Sequence, residues 1–224
     1  MDAHDPPPPV ARDSQPVARN SGSAKKYGLS DYLFQFITIT AGVLIALLVN
    51  GFVELRDTRA LVRQARDTIA REISDNRNDL QKTMADFDKD AQGMDKAITF
   101  ANEMLVTKGT DITELLLHVN LADLSSTAWR SAERTGALSH MDYAEVQRLS
   151  RVYDHQDIYV LQQRGLVDQL TAASALLTGE FNPDDPNPKD LELFRQQVMR
   201  LRASLKVLED FAKRLAEDYA EILK

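Results

Sequence analysis

The chain has 224 residues, a net charge of -7 and no cysteine. The missing cysteines exclude disulfides and thiolate metal sites. The acidic balance, without a dense Lys/Arg patch, argues against a nucleic-acid surface. The nine glycines are scattered and form neither a P-loop nor a dinucleotide-binding fingerprint. The length suits one domain with an additional segment.

The first 53 residues predict a tail and a membrane span. Residues 1–28 include the run Pro6 to Pro9 and few apolar side chains, so we expect a disordered tail. Residues 32–53 contain no charged residue, His or Pro, and as a helix they reach about 33 Å, enough to cross a hydrocarbon core. Their large apolar side chains favour insertion by about 5 kcal/mol, which outweighs the polar groups near the ends.

Small and polar residues of this span recur at spacings of three and four, on one helical face. Such a face lets two helices approach closely and hydrogen-bond, so we expect a transmembrane interface between copies of the chain. The alternatives are a membrane anchor without an interface and a polar-lined pore. No ionisable residue lies at mid-membrane to mark an ion path, which argues against the pore. The predicted interface residues are Gln35, Thr38, Gly42, Ala46 and Asn50.

The orientation of the span is weakly determined, because basic residues are nearly balanced on its two sides. Lys25 and Lys26 precede it closely, which favours a cytoplasmic N-terminus. We therefore expect a single-pass protein of the bacterial inner membrane with a periplasmic C-terminal domain.

The residues after the span predict an all-α fold. Apolar or small residues at helical spacing, with Asn76 filling one gap, predict that the helix continues to about Val106. We interpret residues 54–70 as a stalk, whose apolar residues Leu55, Leu61, Val62, Ala65 and Ile69 have no partner within one chain, and residues 71–224 as a helical bundle.

Shorter helices are predicted at 114–118 and 127–135, the latter capped by Ser125 or Ser126 and ended by Gly136. Asp142 caps the next helix, which runs to about Leu177. After the Pro-rich loop 178–188, the last helix has a heptad pattern that predicts an antiparallel coiled coil with a preceding helix. The heptad residues are Leu191, Phe194, Val198, Leu201, Leu205, Leu208, Ala212, Leu215, Tyr219 and Ile222. The fold class is therefore a single transmembrane helix that continues into an extramembrane antiparallel helical bundle.

No motif in the sequence indicates a catalytic, cofactor or metal site. His155 has acidic neighbours that do not share its helical face, and Asp86, Asp88 and Asp90 are expected on a solvated face. The least generic soluble stretch contains the only Trp. There Trp129, Arg130, Tyr143 and Tyr153 predict either a groove for a ligand or partner or, as we favour, an aromatic plug at the end of the bundle.

Two stretches resemble an uncharacterised bacterial single-span family, domain of unknown function 6090. The first is ITAGVLIALLVNGFVELR with the following helix, which contains EISDNRNDL. The second is WRSAERTGALSHMDYAEVQRLSRVYD, a short helix, a glycine turn and a helix with a central aromatic residue. The resemblance implies a membrane-anchored α-helical protein, without an activity or a cofactor.

These observations predict a non-enzymatic, membrane-anchored bundle. We expect it to self-associate and to act as a scaffold or accessory subunit in the cell envelope, with lipid, further copies or another envelope protein as partners. The alternative is a ligand-sensing bundle that signals through its span to a partner.

Overall fold

The computed structural model describes residues 29–107, 117–177, 182 and 185–224. The regular secondary structure of these residues is entirely helical, without a strand. The helices are α1 (Leu29–Val106), α2 (Thr127–Arg134), α3 (Tyr143–Ala175) and α4 (Pro188–Ile222), with a short 3₁₀ helix at Ala137–His140. The predicted tail, most of the predicted helix 114–118 and part of the loop 178–188 lie outside the described residues; Leu117 and His118 are not helical.

The chain divides after Phe52 into two compact units, and α1 passes through both. In the first unit, an 18-residue window of α1 has a mean hydropathy of 2.3 and none of it is buried. Its large apolar side chains are exposed, Phe34 and Leu48 by more than 70%. The length and composition of this helix are therefore those of a membrane span. Thr38 donates its hydroxyl hydrogen to the carbonyl of Phe34 at 2.9 Å, so that hydrogen is already used within the helix.

In the second unit, α1 begins to contribute to the core at Leu61. Val62, Ala65 and Ile69 are buried, and Leu61 packs against them. The expectation that the apolar stalk residues lack a partner within one chain is therefore wrong for these four, whereas Leu55 is 47% exposed. The stalk was predicted because α1 is longer than the other long helices, but α2 faces α1 from Leu61 to Glu72.

The directions of the long helices follow from their polar contacts. Residue numbers rise together in the α1–α3 pairs, so these two helices run parallel. In the α3–α4 pairs, residues 155 and 156 meet residues 218 and 219, whereas Gln169 meets the earlier Ser204, so α4 is antiparallel to α3. The α1–α3 pairs are Arg66–Glu145, Glu72–Tyr153 and Asn76–Gln156, and the α3–α4 pairs are His155–Asp218, Gln156–Tyr219 and Gln169–Ser204.

The apolar pattern of α4 faces the core that these helices share. Nine of the ten predicted heptad residues are buried, and Ile222 packs against the core. Asn187 caps α4 by accepting a hydrogen bond from the backbone N–H of Lys189 at 3.0 Å, and Pro188 occupies the first turn, where no N–H is needed. The helix therefore begins one residue before the predicted start.

The caps of α3 and the turn before it are also as predicted. Asp142 accepts hydrogen bonds from the N–H groups of Ala144 and Glu145 at 2.9 and 3.1 Å. Gly136 follows α2 with φ +75°, in the left-handed region that glycine enters without steric cost. This turn lets α2 and α3 follow each other closely and places both beside the first part of α1 in the second unit.

Between α1 and α2, residues 117–126 are non-helical and are called the strap here. Their contacts on α1 move from Asp90 to Asp79 to Asn76 as the strap residue numbers rise, so the strap runs antiparallel to α1. Val119 and Ala122 of the strap are buried in the core. The strap thus returns the chain from the far end of α1 to the start of α2.

Candidate functional site around Glu72

The carboxylate of Glu72 on α1 is the centre of the densest polar cluster that joins the helices. It accepts hydrogen bonds from the backbone N–H groups of Ala128 at 2.8 Å and Trp129 at 3.4 Å. It also accepts from the hydroxyls of Ser125 and Tyr153, both at 2.8 Å. One side chain therefore connects α1, the strap, α2 and α3.

Glu72 serves as the N-terminal cap of α2. Ser126 occupies the N-cap position but makes no side-chain cap hydrogen bond. A carboxylate stabilises a helix start because it satisfies free N–H groups and complements the helix dipole. Partial burial would raise the pKa of Glu72, but the hydrogen bonds from Ala128, Tyr153, Ser125 and Trp129 outweigh it and hold the pKa below its usual value.

Tyr153 and Trp129 form an aromatic pair directly above this carboxylate. Their ring centroids are 5.1 Å apart and their planes are inclined by 18°, a stacked arrangement. Tyr153 is buried, whereas Trp129 is half-buried against the core. Burial, together with the hydrogen bond to Glu72, raises the pKa of Tyr153 well above its usual value. Tyr153 therefore remains a neutral O–H donor at physiological pH.

A second polar cluster lies one helical turn further along α1. Asn76 accepts from the N–H of Ser125 at 2.9 Å and donates to its carbonyl at 2.7 Å, a bidentate contact with the strap backbone. Gln156 accepts from Asn76 at 3.1 Å and from the hydroxyl of Tyr219 at 2.7 Å. Because Asn76, Gln156 and Tyr219 are buried and belong to α1, α3 and α4, this cluster fixes the register of three helices.

The rest of the strap is held in the same manner. Gln163 makes a bidentate contact with Ala122, accepting from its N–H at 3.1 Å and donating to its carbonyl at 2.9 Å. Asp79 accepts from the N–H of Asp123 at 2.7 Å. Asp90 accepts from the backbone and side-chain nitrogens of Asn120 at 2.8 and 3.0 Å. Side chains of α1 and α3 thus replace the strand partner that an extended backbone usually has.

A groove of about 530 Å³ lies beside Glu72, between α1 and α2. Small residues and hydroxyls dominate its walls, and Glu72 is its only ionisable group. The lining residues are Leu61, Gln64, Ala65, Thr68 and Glu72 on α1, with Thr127, Ala128, Ser131, Ala132 and Thr135 on α2. Its volume falls within the range of small-molecule sites.

The structure separates the four residues of the predicted groove. Trp129 and Tyr153 stack, while Arg130 and Tyr143 are exposed, Tyr143 by 75%. The Tyr143 hydroxyl accepts a hydrogen bond from Gln147 one turn along the same helix, at 2.9 Å. Trp129 and Tyr153 therefore stack beside Glu72, and the groove in this region has other lining residues.

The other residues considered from sequence give a mixed outcome. His155 is exposed and contacts Asp218 at 2.7 Å. Asp88 is exposed, but Asp90 is only 4% exposed and binds the strap, so its predicted solvated position is wrong. The structure contains no cluster of three potential metal ligands among the described residues.

Sequence analysis did not identify Glu72 as a site residue, although two signals were present. Asn76 occupied a core position of the apolar pattern, and it is indeed 3% exposed. Glu72 lies one turn before it on nearly the same helical face. A polar residue in a core position, with a carboxylate one turn away, indicates that polar groups from another part of the chain pack against α1 there.

Comparison with protein-family models, with curated proteins and with solved structures finds no match. The resemblance to domain of unknown function 6090 therefore stays a prediction.

Proposed function

We propose that this protein is a non-enzymatic, membrane-anchored helical bundle that self-associates and acts as a scaffold or accessory subunit in the bacterial cell envelope. The observation that carries the proposal is the complete exposure of the apolar first part of α1. Exposed apolar surface of this extent requires lipid or protein to cover it. The packed α1, α3 and α4 support a bundle, and the acceptor atoms of Glu72, the most connected carboxylate, are occupied by structural hydrogen bonds.

Membrane integration can be tested by alkaline carbonate extraction of bacterial membranes. We expect the natural chain to stay in the pellet. Leu44→Arg and Leu47→Arg each add about 3 kcal/mol to the cost of insertion at mid-span. Together they cost about 6 kcal/mol, more than the apolar gain of about 5 kcal/mol, so the double variant should not insert. Leu44→Val with Leu47→Val is the matched control and should behave as the natural chain does. Release of the natural chain by carbonate would refute the anchor.

The orientation can be tested directly because the chain contains no cysteine. Asp88 is exposed on α1, so Asp88→Cys introduces one accessible thiol. A periplasmic domain predicts labelling by a membrane-impermeant maleimide in intact spheroplasts. Labelling only after the membrane is permeabilised would place the domain in the cytoplasm.

Self-association is proposed to use the face with Gly42 and Ala46. Around Gly42 an added Cβ would meet no atom within 4 Å, so this face is open to a second helix. Gly42→Leu with Ala46→Leu should lower the oligomer mass measured by light scattering in detergent. Ala41→Leu with Gly51→Leu adds the same volume off this face and should leave the mass unchanged. Equal masses for both variants would remove the interface.

Ligand sensing is the second candidate, and the groove between α1 and α2 is the observation that favours it. Its small residues and hydroxyls suit a neutral molecule with an apolar body. A compound class that binds there should raise the melting temperature of the natural chain. Ser131→Trp, an exposed substitution that fills the groove, should abolish the shift, whereas Ser139→Trp outside it should not. An unchanged shift in the Ser131→Trp variant would refute this site.

A further inference from the structure

A row of arginines follows the apolar segment of α1. Arg56, Arg59 and Arg63 recur at spacings of three and four, so they lie on one face of this helix, which is called the arginine face here. The acidic residues of the same stretch, Glu54 and Asp57, lie on other faces of the helix. Charges of the two signs are therefore separated around α1 directly after its apolar segment.

The arginine face has no partner within the part of the chain that the structure describes. All three of its side chains are exposed. No ion pair or hydrogen bond among the described residues includes them. Arg66, at the next turn, differs because its Nε and Nη2 donate to the two carboxylate oxygens of Glu145, at 2.8 and 2.6 Å. The guanidinium donors of the arginine face therefore remain available to a ligand.

The position of the arginine face along α1 suits phospholipid headgroups. The helix is continuous over Leu29–Val106, and its apolar segment ends at Val53. At about 1.5 Å per residue, the three arginines follow that end by about 4.5, 9 and 15 Å. Side chains on a helix lean toward its N-terminus, so these arginines extend back toward the apolar segment. A headgroup layer is about 5–8 Å thick and the Debye length adds about 8 Å, so all three lie within range of headgroup charges.

We propose that the arginine face binds the phosphate groups of anionic phospholipids, such as phosphatidylglycerol, around the end of the span. This inference rests on the proposed membrane anchor. A planar guanidinium group matches phosphate with two parallel hydrogen bonds, whereas lysine offers only a point charge. No lysine occurs between residues 54 and 81, so the cations that follow the span are all of the type that suits phosphate. Positive charges that only set the orientation of a span act through their number, and they need neither one helical face nor arginine.

The first experiment measures which lipids the full chain retains. The chain is reconstituted into vesicles with equal amounts of phosphatidylglycerol and phosphatidylcholine of the same acyl chains, then extracted in mild detergent, and native mass spectrometry counts the bound lipids. We expect a preference for phosphatidylglycerol of at least about fivefold, which corresponds to about 1 kcal/mol, the attraction of one arginine to an anionic surface. Raising the salt from about 0.1 to 1 M shortens the Debye length from about 10 to 3 Å and should reduce this preference. Equal retention of the two lipids, or a preference that salt leaves unchanged, would overturn the inference.

The second experiment assigns the preference to the arginine face. The triple variant Arg56→Gln, Arg59→Gln and Arg63→Gln should retain the two lipids in nearly the ratio of the vesicles. Its circular dichroism should match that of the natural chain, because the replaced side chains are exposed and belong to no ion pair. The control keeps the preference although it removes three exposed positive charges from α3 and α4, by Arg164→Gln, Lys189→Gln and Arg200→Gln. A preference that survives in the triple variant, or that the control loses equally, would refute binding by the arginine face.

Carbonate extraction separates this result from a failure of the proposed anchor. The natural chain and the triple variant should both stay in the pellet, because insertion depends on the apolar segment. Release of the natural chain would refute the anchor. Retention in the pellet without a lipid preference would overturn only the inference about the arginine face.

Discussion

Replacing Glu72 with alanine removes the acceptor of four hydrogen bonds and leaves three donors without a partner, since the Ser125 hydroxyl also lies 3.1 Å from the Thr127 hydroxyl oxygen. Two of the four donors are the N–H groups of Ala128 and Trp129 in the first turn of α2, and the other two are the hydroxyls of Ser125 and Tyr153. The side chain of Glu72 makes no contribution to the apolar core. The expected destabilisation therefore comes from the missing hydrogen bonds alone.

The magnitude follows from the kinds of hydrogen bond that the substitution removes. Removal of a helix cap costs about 0.5–2 kcal/mol. An unsatisfied hydroxyl at the buried Tyr153 costs about 1–3 kcal/mol. We expect Glu72→Ala to lower the free energy of unfolding by about 3 kcal/mol. Tyr153→Phe keeps the stack on Trp129 and removes one hydrogen bond, so it should cost about 1 kcal/mol.

Urea unfolding of the full chain in detergent, followed by Trp129 fluorescence and circular dichroism, measures both changes. The double variant tests the hydrogen bond itself. Without the Tyr153 hydroxyl, Glu72→Ala leaves one fewer unsatisfied donor, so it should cost at least about 1 kcal/mol less in the Tyr153→Phe background. Asp88→Ala, an exposed change on α1, should stay within about 0.5 kcal/mol of the natural chain. A Glu72→Ala effect no larger than that of Asp88→Ala would refute the role of Glu72 as a cap and connector.

Three further predictions concern the turn, the pH dependence and the buried amide. Gly136→Ala should lower the melting temperature and cost about 1 kcal/mol of stability, because φ is +75° at this residue. Gly165→Ala within α3 should instead raise the free energy of unfolding by up to about 1 kcal/mol. Equal effects of the two substitutions would contradict this explanation. The free energy of unfolding should fall as the pH drops below 4.5 and should fall less steeply in Glu72→Gln; parallel pH curves would exclude Glu72 as a contributor. Asn76→Leu should cost about 2–4 kcal/mol in urea unfolding, because the N–H and carbonyl of Ser125 lose a bidentate partner; a neutral effect would show that water satisfies them.

Helices were predictable wherever local rules were sufficient. Asp142 before α3 and Gly136 after α2 were recognised because capping needs only a short polar side chain or a residue without a Cβ. The burial of Leu191 to Tyr219 followed from the apolar spacing of α4. These features depend on residues within one or two turns of each other, so the sequence contains all of the information.

The candidate site was not predictable in the same way, since it depends on which distant residues meet. Ser125 was considered as a helix cap, but the cap of α2 is Glu72, more than 50 residues earlier. Asp90 lies in an acidic stretch, and only the return of the strap explains its burial. Arg130 and Tyr143 were grouped with the aromatic pair because they are near it in sequence, yet they are exposed on different helices.

The interpretation of residues 54–70 as a stalk failed for a related reason, and the failure changes where self-association is expected. The prediction compared only the lengths of the long helices, but Ala65 on α1 and Ala132 on α2 are both buried, on opposite walls of the groove between these helices. The predicted stalk residues from Leu61 to Ile69 are therefore covered within one chain. Leu55, which is 47% exposed, is the one large apolar residue between Val53 and Leu61 that remains available to a second copy. If the chain self-associates through the face with Gly42 and Ala46, a chain shortened to residues 54–224 should be monomeric where the full chain is not.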